Sequence, residues 1–287
     1  NVGSVNNRGL EFNITSRNLV GKFRWTTAFN ISGNRNKVLS LGTDSETIYD
    51  GMGETAITRV GYPMGMFYGL VFDGLYASQE EITALRNDIN SGLAYDDNVR
   101  PGDFKLYDLN GDGYCDDQDR AIIGNPHPLF NAGITNTFNY KNFIFSFQLN
   151  GQYGNKIYNH SLHALLRGTD TNMSLLAVDR WKSETEPGNS RIGRLNKLGE
   201  AAPIVDTNKF SSRFLEDGSY LTIRNIRFSY AVPKRLLTQY YIQSLAINLN
   251  VDNLYTFTKY TGLNPEASLF NNPTAPGIDR TGYPQSR

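Results

Sequence analysis

The chain is short of several things that would each license a simple reading. It has a single cysteine, Cys115, in 287 residues, so no intrachain disulfide is available, and with no CxxC or Cys/His cluster there is no zinc or redox motif. It has no excess charge: 28 basic residues stand against 28 acidic ones, which excludes binding nucleic acid or an anionic membrane by bulk positive charge. It has only three histidines, and the one close pair, His160 and His163, comes without an HExxH pattern or a neighbouring nucleophile. No run approaches the roughly 18 consecutive apolar residues of a membrane helix. That last absence leaves strands untouched, because the strands of a membrane barrel alternate and read as only moderately apolar.

What the chain does have is aromatic and period-two. Phe23, Trp25, Thr27, Phe29 and Ile31 fall on one face of a strand, against Lys22, Arg24, Thr26, Ala28 and Asn30 on the other. Leu10, Phe12 and Ile14 alternate before it, which makes the first hairpin. A second hairpin turns at Lys141-Asn142 and returns through Phe143, Phe145, Phe147 and Leu149. A third runs from about Tyr220 to Tyr230 and back through Leu245, Ile247, Leu249 and Val251, with an Asn-rich opposite face. The expected strands are about 9–16, 22–32, 131–140, 143–153, 219–231 and 244–257. Strands near ten residues, with aromatic ends and one polar face, fit a transmembrane barrel better than a small sandwich.

Short connections alternate with long ones, about 33–130, 154–218 and 258–287. A compact soluble domain disfavours structureless loops of that length, whereas outer-membrane barrels pair short periplasmic turns with long extracellular loops. Strand parity then places the strand-like Met66–Tyr76 stretch inside an outer loop. Ser78-Gln79-Glu80-Glu81 is a capping-box pattern opening a helix to about Ile89, and Met173 to Trp181 reads as a second helical stretch.

The sharpest local motif runs from Asp108 to Asp119. Asp108, Asn110, Asp112, Gly113, Asp116 and Asp119 occupy positions 1, 3, 5, 6, 9 and 12 of a calcium loop, with Tyr114 supplying a backbone carbonyl at position 7. A hard cation needs six to eight oxygens, and alternate side chains on a tight loop with Gly at position 6 supply them. Asp119 stands where the EF-hand has the longer Glu, and no second loop or flanking helix pair accompanies it, so the expectation is a structural calcium in an outer loop. The alternative is an Asp/Asn/Gly-rich turn without metal. Cys115 is expected to be a buried thiol. Asp103, Asp116 and Asp117 read as solvated or metal-bound acids rather than a glycosidase pair, whose chemistry depends on carboxylate separation.

Taken together and in order, several blocks resemble the SusC/RagA family of TonB-dependent outer-membrane transporters. They include Asn1-Val-Gly-Ser-Val-Asn-Asn-Arg-Gly-Leu-Glu-Phe12, Gly102-Asp-Phe-Lys-Leu-Tyr-Asp-Leu-Asn-Gly-Asp-Gly113, Asp119-Arg-Ala-Ile-Ile-Gly-Asn-Pro126, Gly151-Gln-Tyr-Gly-Asn-Lys156, Glu216-Asp-Gly-Ser-Tyr-Leu221 and Asn253-Leu-Tyr-Thr-Phe-Thr258. The resemblance implies an all-β fold: the C-terminal part of a large antiparallel transmembrane β-barrel with long extracellular loops, in the bacterial outer membrane. It further implies a non-enzymatic importer of oligosaccharides or peptides, with a SusD-like surface lipoprotein as lid. Energy coupling would come from TonB through an N-terminal portion, and outer-membrane lipid would surround the wall. A partial chain is expected, lacking the plug, the N-terminal strands and a closing strand after the Gly282-Tyr283-Pro284-Gln285 region. The competing expectation is a secreted, calcium-stabilised β-sandwich that binds carbohydrate.

Overall fold

The computed structural model describes residues 3–42, 46–87, 92, 98–166, 172–195, 209–266 and 272–280. Six long strands, β1 (Gly3–Val20), β2 (Phe23–Leu41), β3 (Phe130–Tyr140), β4 (Phe143–Tyr153), β5 (Tyr220–Ala231) and β6 (Ala246–Thr258), form one antiparallel sheet in sequence order. The Gly282–Gln285 region lies outside the described residues. Residues directly opposite one another in antiparallel strands share a face, so the register sorts the side chains. Trp25 lies opposite Phe138, Phe138 opposite Phe145, Phe145 opposite Phe228, and Phe228 opposite Leu249. One residue along, Thr26, Thr137, Ser146, Arg227 and Asn250 form the matching row on the other face.

The apolar face is open. Among the described residues no second sheet covers it, and Leu10 is 86% and Leu249 63% exposed. An apolar sheet face of this extent, uncovered by protein, is the lipid-facing wall of a barrel. That arrangement overturns the sandwich, whose two sheets would bury these side chains against each other. One polar group on this face is satisfied within it: Asn136 Oδ1 accepts from Trp25 Nε1 at 2.8 Å and from Thr27 Oγ1 at 2.7 Å. In hydrocarbon, where no water competes, a polar side chain needs such partners.

Strands β3 and β4 are 11 residues each, the length that crosses a bilayer at a tilt. The first two are longer than the expected 9–16 and 22–32, at 18 and 19 residues. Their pairing continues through Asn34, Arg35, Asn36 and Lys37, where hydrophobic alternation has stopped. Beyond the membrane both faces of a strand meet polar surroundings, so backbone pairing persists after the pattern that reports it has gone. Near that end Val38 donates to Tyr62 O at 2.9 Å and accepts from the Gly61 N–H at 2.9 Å, which ties β2 to the first long connection.

The connections at one end of the sheet are Gly21-Lys22, Lys141-Asn142 and the 14 residues 232–245, which hold a short helix, Lys234–Leu237. All the long connections leave the other end and fold together there. Four short strands, Thr47–Asp50, Ala56–Arg59, Met66–Gly69 and Ala121–Gly124, make one small sheet, and Lys156–Asn159, Leu215–Asp217 and Ile278–Asp279 make another. Phe72–Leu75 pairs with Phe104–Leu106. The main buried cluster joins Ala56 and Phe67 from the first connection, Tyr158, Phe210 and Phe214 from the second, and Ala275 and Ile278 from the third. The core of this chain therefore lies in its loops, and the sheet is a wall beside it.

Met66–Tyr76 lies within that loop assembly, as two four-residue strands. The helix α1 spans Gln79–Asn87; the Ser78 hydroxyl accepts from the Glu81 N–H at 3.2 Å, while Glu81 Oε2 accepts from the Ala77 N–H, one residue before the reciprocal donor of a capping box. Its inner face packs Ile82 against Tyr76 and Val99. The 173–181 stretch forms a single 3-10 segment, Leu175–Asp179, capped by Ser174. A helix that the sequence did not announce, α2 (His160–Leu166), follows the strand Lys156–Asn159, with Asn159 Oδ1 accepting from the Leu162 N–H at 2.9 Å.

Candidate functional site: the acidic loop and the loop core

The hairpin Phe72–Leu75/Phe104–Leu106 delivers the chain into the acidic loop, and Leu106 packs with Leu70 and Cys115 beneath it. Gly113 has φ +88°, a left-handed conformation that residues with a Cβ rarely adopt. The acidic side chains curl onto the backbone. Asp108 accepts from the Gly111 and Gly113 N–H groups at 2.6 and 2.7 Å, Asn110 Oδ1 from Asp112 at 2.9 Å, and Asp112 Oδ1 from Tyr114 at 2.9 Å. Asp116 caps the 3-10 turn Asp117–Asp119 by accepting from the Gln118 N–H at 2.6 Å.

Asp119 is the anchor. It is fully buried, and its carboxylate accepts from the N–H groups of Leu109 (2.8 Å), Asn110 (3.2 Å) and Asp116 (2.8 Å), tying the first turn of the loop to its last. Among the described residues no three His, Cys, Asp or Glu side chains converge at metal-ligand spacing; these carboxylates face backbone donors. A carboxylate oxygen that accepts one N–H keeps a second lone pair, so Asp108, Asp112, Asp116 and the Oδ2 of Asp119 remain open to an added cation, whereas Asp119 Oδ1 already meets two N–H groups. The donor set is all oxygen, which suits calcium over softer metals.

Cys115, 4% exposed, points into the Leu70–Leu106 cluster. Burial, with the Asp119 charge adding to it and Lys209 opposing, pushes its thiol up to about 12. The expected result is that iodoacetamide at pH 8 labels Cys115 about three orders of magnitude more slowly in the folded protein than after denaturation, because the thiolate is the nucleophile. Mass spectrometry of timed samples reads this, and labelling at the rate of an unfolded thiol would refute the burial.

Asp117, near the end of the acidic loop, borders a cavity of about 750 Å³ together with Thr55, Tyr158, His163 and Phe210. Asp117 pairs with Lys209 at 3.3 Å. Arg120 is spent on structure: it stacks over Tyr68 at 4.7 Å, pairs with Glu54 Oε2 at 3.3 Å, and donates to the carbonyls of Glu54 and Tyr68. His163 accepts or donates through Nδ1 to Tyr158 Oη at 2.6 Å and stacks on Phe214 at 4.1 Å, a packed core histidine. His127 Nε2 lies 2.6 Å from Met64 O. Asp103 is buried and paired with Arg194 Nε at 2.8 Å; burial nonetheless raises its pKa. It lies in a structural ion pair, apart from Asp116 and Asp117.

Arg213 was silent in the sequence. It sits between Phe104 and Phe214, 4.2 and 4.3 Å from their ring centres, and burial lowers its pKa to about 10. This cation–π pair clamps the first long connection to the second. A lone Arg before Phe carries no signal by itself, since its second ring comes from more than a hundred residues away.

No protein-family model matches the chain. The curated TonB-dependent receptor P3 of Formosa agariphila is 32% identical over 302 residues, across 100% of this chain and 28% of its own length. The TonB-dependent receptor SusC of Bacteroides thetaiotaomicron is 28% identical over 298 residues, again across the whole chain. The solved structure of the RagAB peptide transporter superposes with a TM-score of 0.73 over 99% of the chain, at 18% identity, which speaks to the fold. The chain is similar in sequence to TonB-dependent receptors and in fold to the SusC/RagA barrels. It spans little more than a quarter of the length of the relatives it matches, and its open sheet is part of a wall that closes elsewhere. The sheet supplies the barrel face and the loop core supplies everything that stands above it.

Proposed function

We propose that this segment is wall and loop assembly of a SusC/RagA TonB-dependent importer that takes up oligosaccharides or peptides across the bacterial outer membrane. The long connections face the cell exterior, where a SusD-like lipoprotein closes over them, and TonB acts through parts of the protein outside this segment. The observation that carries the reading is the shared core of the three long connections: a lid needs a firm surface to close on, and this core gives one. The Asp108–Asp119 loop holds a structural calcium, with Asp108, Asn110, Asp112, Asp116 and Asp119 side chains and the Tyr114 carbonyl as ligands. That ion stiffens the loop, whose Asp117 borders the 750 Å³ cavity. The segment carries out no covalent chemistry.

The test uses the full-length protein in its native membrane. Cells lacking it should lose uptake of either a labelled oligosaccharide set or a labelled peptide set, and purification in mild detergent should bring down a surface lipoprotein. Unchanged uptake of both sets, with no copurifying lipoprotein, would overturn the importer.

A further inference from the structure

The apolar face of the sheet carries a depression near the loop end. Gly151 of β4 lies opposite Ala132 of β3 and Leu221 of β5, so two adjacent positions on a face of Phe, Tyr, Leu and Ile offer at most a methyl group. A Cβ at Gly151 would come within 2.9 Å of Tyr220 O, which keeps the floor bare. Phe130 and Tyr153, stacked at 5.4 Å, wall the loop end. Tyr255 and Phe257, edge to face at 4.8 Å, wall one side. The result is an open groove of about 720 Å³, within the size range of sites that hold small amphiphiles.

The rim is charged where the walls are not. Lys259 and Asp217 border the groove at its loop end, and Lys156 and Lys259 both act on the Asp217 charge. Asp217 is engaged by its own turn, accepting from the Ser219 N–H at 3.0 Å and hydroxyl at 2.6 Å. Lys259 lines the groove and Lys156, opposite Asp217 in the strand pairing, stands beside that carboxylate, so two lysines flank one acid at the level where lipid headgroups meet the aromatic girdle. An apolar slot opening onto a cationic rim matches an acyl chain attached to a phosphorylated head.

We propose that this groove holds an acyl chain of a phosphorylated glycolipid of the outer leaflet, with Lys156 and Lys259 facing its phosphate. The choice of leaflet rests on the loops facing outward, as inferred above. A lipid seated there would cover the thinnest part of the wall beside the loop core.

The experiment compares full-length wild type, Ala132→Phe and Lys156→Gln/Lys259→Gln, purified from native outer membranes in mild detergent and weighed by native mass spectrometry. Heat-modifiable gel mobility confirms that each barrel is folded. Wild type should retain about one phosphorylated glycolipid per barrel, Ala132→Phe at least tenfold less, and the double Gln variant should lose it as salt rises. Equal retention in wild type and Ala132→Phe would overturn the groove, and retention of a phospholipid instead would overturn the glycolipid. Surface labelling of Leu175→Cys, an exposed loop position, tests orientation separately; failure to label from outside overturns the outer-leaflet assignment. A protein that keeps the glycolipid yet supports no uptake would support the groove while overturning the importer.

Discussion

Replacing Asp108 and Asp112 together by Ala should abolish calcium binding by the full-length protein while leaving its fold intact; replacing Asp119 by Ala should unfold the acidic loop with or without calcium. The two outcomes differ because the carboxylates do different work. Asp112 is exposed and Asp108 half-buried, so the N–H groups they release can turn to water. The oxygens of Asp119 are fully buried and serve three N–H donors, and each donor left unsatisfied costs about 1–3 kcal/mol. If the site has the affinity of extracellular calcium modules, about 0.1–1 mM, calcium at fifty times Kd stabilises the loop by about 2 kcal/mol. Isothermal calorimetry reads the first claim, and limited proteolysis of the 98–120 segment in chelator and in calcium reads the second. Calcium heat that survives in Asp108→Ala/Asp112→Ala would remove these residues as ligands; a loop in Asp119→Ala as protease-resistant as wild type would remove Asp119 as its anchor.

That contrast also marks where the sequence stopped being readable. The spacing of Asp108, Asn110, Asp112 and Gly113 exposes the loop because calcium chemistry needs alternate side chains and a tight turn. Nothing in the spacing tells that Asp119 is fully buried, since its carboxylate is enclosed only when the loop folds back and brings the N–H groups of Leu109, Asn110 and Asp116 onto it. The six wall strands were legible for a related reason. Lipid on one side and a polar interior on the other force strict alternation, and Phe143, Phe145, Phe147 and Leu149 show it without help. Strands such as Ala56–Arg59 and Lys156–Asn159 were not, because they are four residues long and mostly buried, which leaves no alternation to see. Their partners, Met66–Gly69 and Leu215–Asp217 among them, are set by contacts among three connections, and the core residues Phe67, Phe214 and Ile278 meet only once the wall has brought the connections to one end.

The wall itself makes the firmest quantitative demand. Ile226 of β5 lies opposite Phe147 and Val251 on the apolar face, near the middle of the 11-residue β4. A lysine there has hydrocarbon on one side and only Phe147 and Val251 beside it in its row, so no neighbouring strand offers an acceptor; Asn136, two strands along the same row, has its oxygen already met by Trp25 and Thr27. Ile226→Lys should therefore cost about 2–4 kcal/mol, the range for a cation at mid-depth of a barrel wall. Its four-carbon stem lets the ammonium reach toward the nearer interface, five residues away at Ala231, which favours the lower half of that range. Thr135→Lys is the control: it lies opposite Ala28 and Gln148 on the polar face, where the same charge meets water, and should cost less than about 0.5 kcal/mol. Reversible denaturant unfolding of the full-length barrel in lipid vesicles measures both. Equal costs for the two lysines would mean that the sheet has been read inside out or that its apolar face is covered by protein, and either result would displace the membrane wall on which the importer depends.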